Sequence, residues 1–190
     1  MADPVNIFVA GLGRCGTTMV MTMLDRGGFP VGDVAPDYET FTPMVAGKVT
    51  AEALAPLRGK AVKWLDPTVS IAPAGTRAIS IWLDRDFTEQ AKSQLKLCSA
   101  PTSRRAVRAV AATLRTDSIR ARKIVAACGP ILPMSFEQIL AQPLVEAKRI
   151  RDFLGNFDVV RAAATVRRRG PECLPDMMLE ARLLREALNG

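Results

Sequence analysis

The chain has 190 residues, 48% hydrophobic and 24% charged, which suits one domain with a single core and needs no disulfide or metal support. Its four cysteines are scattered singly and it has no histidine, which excludes a disulfide scaffold, a zinc centre of paired ligands and any histidine base or triad. The net charge of +7 arises wholly in residues 101–190, with sixteen basic and nine acidic side chains against ten of each in residues 1–100.

That basic surplus fits either a solvated helix face or attraction of an anionic ligand. With one tyrosine and few aromatics among the basic clusters, stacking on single-stranded nucleic acid is not expected. No apolar run reaches the ~20 residues of a bilayer span. The start, "MADPVNIFVAG", has no positive region ahead of its apolar run, so a cytoplasmic protein is expected.

In chain order, "NIFVA" (6–10) leaves no room for a helix before Gly11 and reads as a buried strand. Met19, Val20, Met23 and Leu24 then recur at helical spacing over 17–26, and Gly27-Gly28 stops that helix. Residues 29–50 are rich in Pro, Gly and Asp and are expected to wind over the surface. A short helical piece at 51–57 precedes a strand at 60–65, closed by Asp66-Pro67. A third strand, "AISIWL" (78–83), leads into a helix for which Thr88 is the expected cap. Residues 103–127 are helical in composition and are expected to split at Thr116-Asp117-Ser118. A last strand at 130–134 meets "SFEQ", a capping-box form that opens a helix running to Leu154. Alternating strands and helices predict one α/β domain over 1–190, three layers deep around a central parallel sheet.

The first strand-to-helix turn carries the chemistry. Gly11 and Gly16 have the spacing of the phosphate loop G-x-x-x-x-G-K-[ST], with Thr17 in place of the lysine. In a parallel sheet this turn faces the ligand crevice, and the amides of Cys15, Gly16, Thr17 and Thr18, backed by the helix dipole, attract a phosphate whatever side chain follows Gly16. Arg14 can supply the missing cation, its planar fork suiting oxyanions. Cys15 sits at a helix N-terminus, a setting that lowers a thiol pKa, although without a histidine partner it reads as a slot-filler rather than a nucleophile. Lys63 and Asp66 close the second strand and face the same crevice: Lys63 could touch a leaving phosphate, and Asp66 could orient Arg14 or accept a proton. Strand-end ion pairing is the other reading of both.

"GRCGTT" before an apolar helix resembles the 5′-phosphosulfate loop of the sulfotransferase family, and "LDRDFTEQAKSQ" resembles that family's R-D-P-x-x-x-x-x-S segment. Phe87 replaces the usual proline there. "MSFEQILAQPLVEAKRIRDFLG" is similar to the family's late scaffold element, in which Glu137 caps and Pro143 bends the chain. The resemblance spans residues 5 to about 155 and implies a P-loop NTPase-like, sulfotransferase-like fold. It also implies 3′-phosphoadenosine 5′-phosphosulfate (PAPS) as donor, with 3′-phosphoadenosine 5′-phosphate (PAP) as product. Gly13, Arg14, Cys15, Gly16, Thr17 and Thr18 then hold the 5′ side, while Arg85 and Ser93 grip the 3′-phosphate. Arg168, Arg169 and Gly170 in "VRRRGPE" parallel the family's R-K-G loop, or else form a basic helix end. The family's K-x-H histidine is absent. "VGDVAPDYETF" looks like the G-D…F-E stretch of short bacterial relatives, which makes Glu39 the first candidate base and Asp33 the second. The acceptor implied is a hydroxyl or amine on a small molecule, glycan or lipid. Two other functions fit the same residues: a P-loop kinase using Asp84 near a magnesium site, and a catalytically inactive sulfotransferase-like nucleotide binder.

Overall fold

A computed structural model describes residues 5–39, 49–155 and 157–167. Four parallel strands form the sheet: β1 (Asn6–Gly11), β2 (Ala61–Leu65), β3 (Ala78–Asp84) and β4 (Ile131–Ser135), in the order β2-β1-β3-β4. All four fall within a residue or so of the strands expected from the apolar runs. The helices are α1 (Thr17–Arg26), α2 (Ala51–Leu54, continued by a 3-10 turn at Ala55–Leu57), α3 (Phe87–Leu97), α4 (Arg104–Cys128), α5 (Phe136–Ala141), α6 (Pro143–Leu154) and α7 (Val159–Ala164). None of them is long and apolar enough to cross a membrane.

The period-2 alternation of the strands separates two cores. Ile7, Val9, Ile81, Leu83 and Met134 pack under α1, α6 and α7, whereas Phe8, Ala10, Val62, Trp64 and Trp82 pack against α2, α3 and α4. Helices therefore cover both faces of a parallel sheet, the three-layer arrangement the sequence predicted. Trp64 and Trp82 are fully buried, and each indole N–H is satisfied, by the Ser70 carbonyl (2.6 Å) and the Asp84 carboxylate (2.8 Å) respectively. Pro133 is tolerated inside β4 because that strand is the sheet edge, and its carbonyl accepts from Arg149 (3.1 Å).

Several expectations are corrected. Residues 104–128 form one unbroken helix: Ser118 is buried against the core, and the Thr113 and Thr116 hydroxyls bond back to Ala109 and Ala112 carbonyls (both 3.3 Å), so the polar trio competes with nothing. The late helix breaks at Gln142 (φ −138°), because Pro143 has no N–H to continue the ladder and opens α6. The cap of α3 is Asp86, which accepts the Glu89 N–H (2.9 Å), rather than Thr88. Ser135 caps α5 as expected. The segment after α1 is not all surface: Val31 bridges Ala61, while Asp33 and Tyr38 are buried. The short helix α7, not foreseen, buries Ala162 in the α1 core, with Phe157 set edge-on to Phe29.

Candidate active site

β1 connects to β2 on one side and the chain then returns to β3 on the other, so the order of connections reverses between β1 and β3. The crevice beyond their carboxyl ends is where open α/β sheets take ligands. Residues 12–16 occupy that point. Arg14 (φ 68°) and Gly16 (φ 109°) adopt left-handed backbone, which folds the loop tightly enough for the Cys15 N–H to reach the Leu12 carbonyl (3.2 Å). That contact spends one of the four amides expected to face a phosphate. No side chain caps α1, so the Gly16, Thr17 and Thr18 amides have no acceptor within the helix.

Three neighbouring elements hold the loop. From the end of β2, the Asp66 carboxylate accepts the Gly13 N–H (3.1 Å), and the Asp66 N–H donates to the Gly11 carbonyl (3.0 Å). From α3, Gln90 donates to the Gly13 carbonyl (2.7 Å) and to Leu12 (3.3 Å), with Gln94 adding a longer bond to Gly13 (3.4 Å). From the end of β3, the Arg85 guanidinium donates to the Arg14 carbonyl (2.9 Å) and lies 4.4 Å from the Phe136 ring centroid. The same ring closes over Gly16, where an added Cβ would come within 2.5 Å of it.

The two arginines and the serine singled out in sequence thus meet in space. Arg14 Nε donates to Ser93 Oγ (3.1 Å), while Arg85 holds the backbone of Arg14. Arg85 Nε is buried without a hydrogen-bond partner among the described residues. Burial draws the Arg85 guanidinium below its usual pKa; the Glu137 carboxylate opposes that shift and the charge of Arg14 adds to it.

On the α1 face lies a second polar group. Lys63 alternates with the core residues Val62 and Trp64, so its stem runs toward α1 and is 4% exposed. Its Nζ donates to Thr18 Oγ1 (2.9 Å), to the Asp37 carbonyl (2.9 Å) and to the Glu39 carboxylate, with which it forms an ion pair. Asp33 is buried and accepts the Lys63 backbone N–H (3.1 Å), so this carboxylate is directed at the β2 main chain. Thr17, the first residue of α1, is buried.

Cys15 departs from expectation. Burial pushes its thiol up to about 12, outweighing the Thr17 N–H that lowers it, because the side chain points into the core rather than the crevice. Its Sγ fills the space a Cβ at Gly11 would need. Asp66 is likewise held above the ordinary carboxylate range, by burial first and by Asp117 further off, with the Gly13 N–H countering. Asp84 accepts the Trp82 indole N–H (2.8 Å) and lies 3.7 Å from Arg122. Arg168, Arg169 and Gly170 lie outside the described residues. Sequence reasoning missed Gln90, Gln94 and Phe136; the polar pair Gln90 and Gln94, one turn apart on the helix that carries Ser93, was the available signal.

No protein-family model matches the sequence, and no curated protein matches it either. Solved structures do share its architecture. Mouse sulfotransferase SULT7A1, complexed with PAP, superposes with a TM-score of 0.53 at 14% identity, over 85% of this chain and 62% of that one. The sulfotransferase domain from the curacin biosynthetic pathway superposes with a TM-score of 0.51 at 14% identity, over 98% of both chains. The chain therefore spans about the whole of the curacin domain but only 62% of the length of SULT7A1. The four-stranded parallel sheet between helical layers superposes on both of them: the chain has the sulfotransferase fold.

Proposed function

We propose that the protein is a sulfotransferase that takes a sulfuryl group from PAPS and delivers it to a hydroxyl or amine acceptor. The observation that carries this reading is the junction of Arg14, Arg85 and Ser93 beside the uncapped start of α1. The charge of Arg14 acts on the Arg85 guanidinium, a repulsion that an anion lying over both would relieve. The buried Nε of Arg85, which has no partner among the described residues, is a donor for which a doubly phosphorylated nucleotide supplies an acceptor. The residues present therefore fit PAPS, and mouse SULT7A1, which shares the fold, is complexed with PAP.

In this reading PAPS supplies the sulfuryl group, and the chain supplies charge and orientation. The Gly16, Thr17 and Thr18 amides and Arg14 hold the 5′ side; Arg85 and Ser93 hold the 3′-phosphate. Lys63, fixed against Thr18 in the first turn of α1, neutralises charge on the leaving phosphate side. Glu39, oriented by its ion pair with Lys63, takes the acceptor proton. Asp66 acts mainly through the Gly13 N–H, holding the loop in shape.

Calorimetric titration with PAP, and separately with ATP plus magnesium, tests the assignment. PAP binding in the absence of magnesium, lost in Arg85→Ala, is expected. Magnesium-dependent ATP binding without PAP binding would overturn it in favour of a kinase, and binding of neither would leave a sulfotransferase fold without nucleotide chemistry.

A further inference from the structure

On the side of the phosphate loop that faces α3 and α4 lies a cavity of about 330 Å³, within the size range of small-molecule sites. Its walls are Leu12 at the end of β1, Val69 in the turn after β2, and Val110 and Leu114 on α4. Among the described residues the only charged side chains lining it are Asp66, after β2, and Asp117, on α4. Two carboxylates, and no cation among the described residues, line one largely apolar hollow in a chain whose net charge is +7.

Among the described residues no cation approaches either carboxylate closely. Asp66 Oδ1 takes the Gly13 N–H, and its other oxygen accepts from no described residue. Asp117 has a distant partner in Arg120 (3.9 Å), whose side chain is 71% exposed, a pair of little worth in water. Asp117 also acts on Asp66 through space, so the two charges sense each other across the cavity. Carboxylates beside apolar walls return Coulomb energy that offsets the desolvation of a cation, return none to a neutral alcohol and repel an anion.

From this arrangement we infer that the cavity binds a small molecule with an apolar body and an ammonium group, the ammonium seated between Asp66 and Asp117. Because the Asp66 carboxylate is bonded to Gly13, an occupant lies alongside the phosphate loop. Resting on the sulfotransferase reading, it is the acceptor, and the ammonium is its recognition handle rather than the reacting group. A cationic acceptor of this kind narrows the broad class of hydroxyl and amine acceptors, and sulfated glycans, which are polyanions, fall outside it.

The test uses three probes with one hydrocarbon chain, hexylammonium, hexanol and hexanoate, titrated into the full chain with and without PAP and followed by heteronuclear NMR. Hexylammonium is expected to shift the amides of Leu12, Gly13, Val69 and Val110, with hexanol weaker and hexanoate silent. Asp117→Asn, on a solvent-facing part of α4, should weaken hexylammonium about fivefold, the usual worth of one half-exposed charge. Thr113→Trp, at the exposed rim of the cavity, should block it while circular dichroism confirms the fold. Hexanoate binding as well as hexylammonium, shifts mapping elsewhere, or an unchanged affinity in both variants would overturn the inference. PAP binding without ammonium binding removes the inference and leaves the sulfotransferase reading standing; ammonium binding without PAP binding removes the acceptor role.

Discussion

Replacing Gly16 by alanine probes the loop at its tightest point. Its φ of 109° lies outside the range that side-chain-bearing residues adopt comfortably, which costs about 1–2 kcal/mol. The new Cβ would also stand 2.5 Å from Cδ2 and 3.2 Å from Cε2 of Phe136, an overpacking whose usual cost is about 1–3 kcal/mol. The two together predict a loss of roughly 2–5 kcal/mol, or a melting temperature lower by roughly 5–15 °C in a chain of this size. Urea denaturation of wild type, Gly16→Ala, Phe136→Leu and the double variant forms a cycle that separates the parts. Phe136→Leu should return the steric share and leave the backbone share. A Gly16→Ala protein within 0.5 kcal/mol of wild type would refute the loop geometry; full rescue by Phe136→Leu would refute the assignment of strain to the backbone.

Three further outcomes follow from the site. With its thiol held near 12, Cys15 is ionised in about one molecule in 10⁴ at pH 8 and should resist iodoacetamide in the native state, whereas exposed Cys98 is alkylated; peptide mapping showing comparable labelling of both would contradict the burial of Cys15. Burial raises the Asp66 pKa, so its ionised form costs folding stability at neutral pH, and that cost fades as pH falls through the folded pKa toward the unfolded value. The stability advantage of wild type over Asp66→Asn should accordingly be larger at pH 4 than at pH 7 in urea titrations, and an advantage that grows with pH would show the sign to be wrong. Glu39→Gln should keep PAP affinity within about twofold and lose about 10²-fold in turnover, the typical worth of a general base; unchanged turnover removes Glu39 from the mechanism.

Much of this architecture is legible in the sequence because its signals are local. A short apolar run with no room for a helix before its glycine, as in "NIFVAG", reads as a buried strand, whereas which of its residues meet which helix layer emerges only in the fold. The pairing of Arg85 with Ser93 was expected from a strand end and the helix that begins there; that Arg14 is the residue bonded to Ser93 was not. What escaped depends on docking. Whether residues 116–118 interrupt α4 is decided by the burial of Ser118 against the sheet layer, which no local propensity encodes. Phe136 covers Gly16 only after β4 has paired with β3, two crossovers later in the chain. The thiol of Cys15 was misjudged for the same reason. A helix N-terminus and a buried core pull its pKa in opposite directions, and which wins depends on where the tight turn aims the side chain.

The claim on which the account turns is that Arg85 and Ser93 recognise a 3′-phosphate while the start of α1 holds the 5′ end. Isothermal calorimetry comparing PAP with adenosine 5′-phosphate, in wild type and Arg85→Ala, measures this directly. Wild type should bind PAP at least about tenfold more tightly, the worth of one charge-assisted contact, and Arg85→Ala should erase the difference while leaving adenosine 5′-phosphate binding nearly unchanged. Equal affinity of wild type for the two nucleotides, or a preference that survives Arg85→Ala, would contradict it.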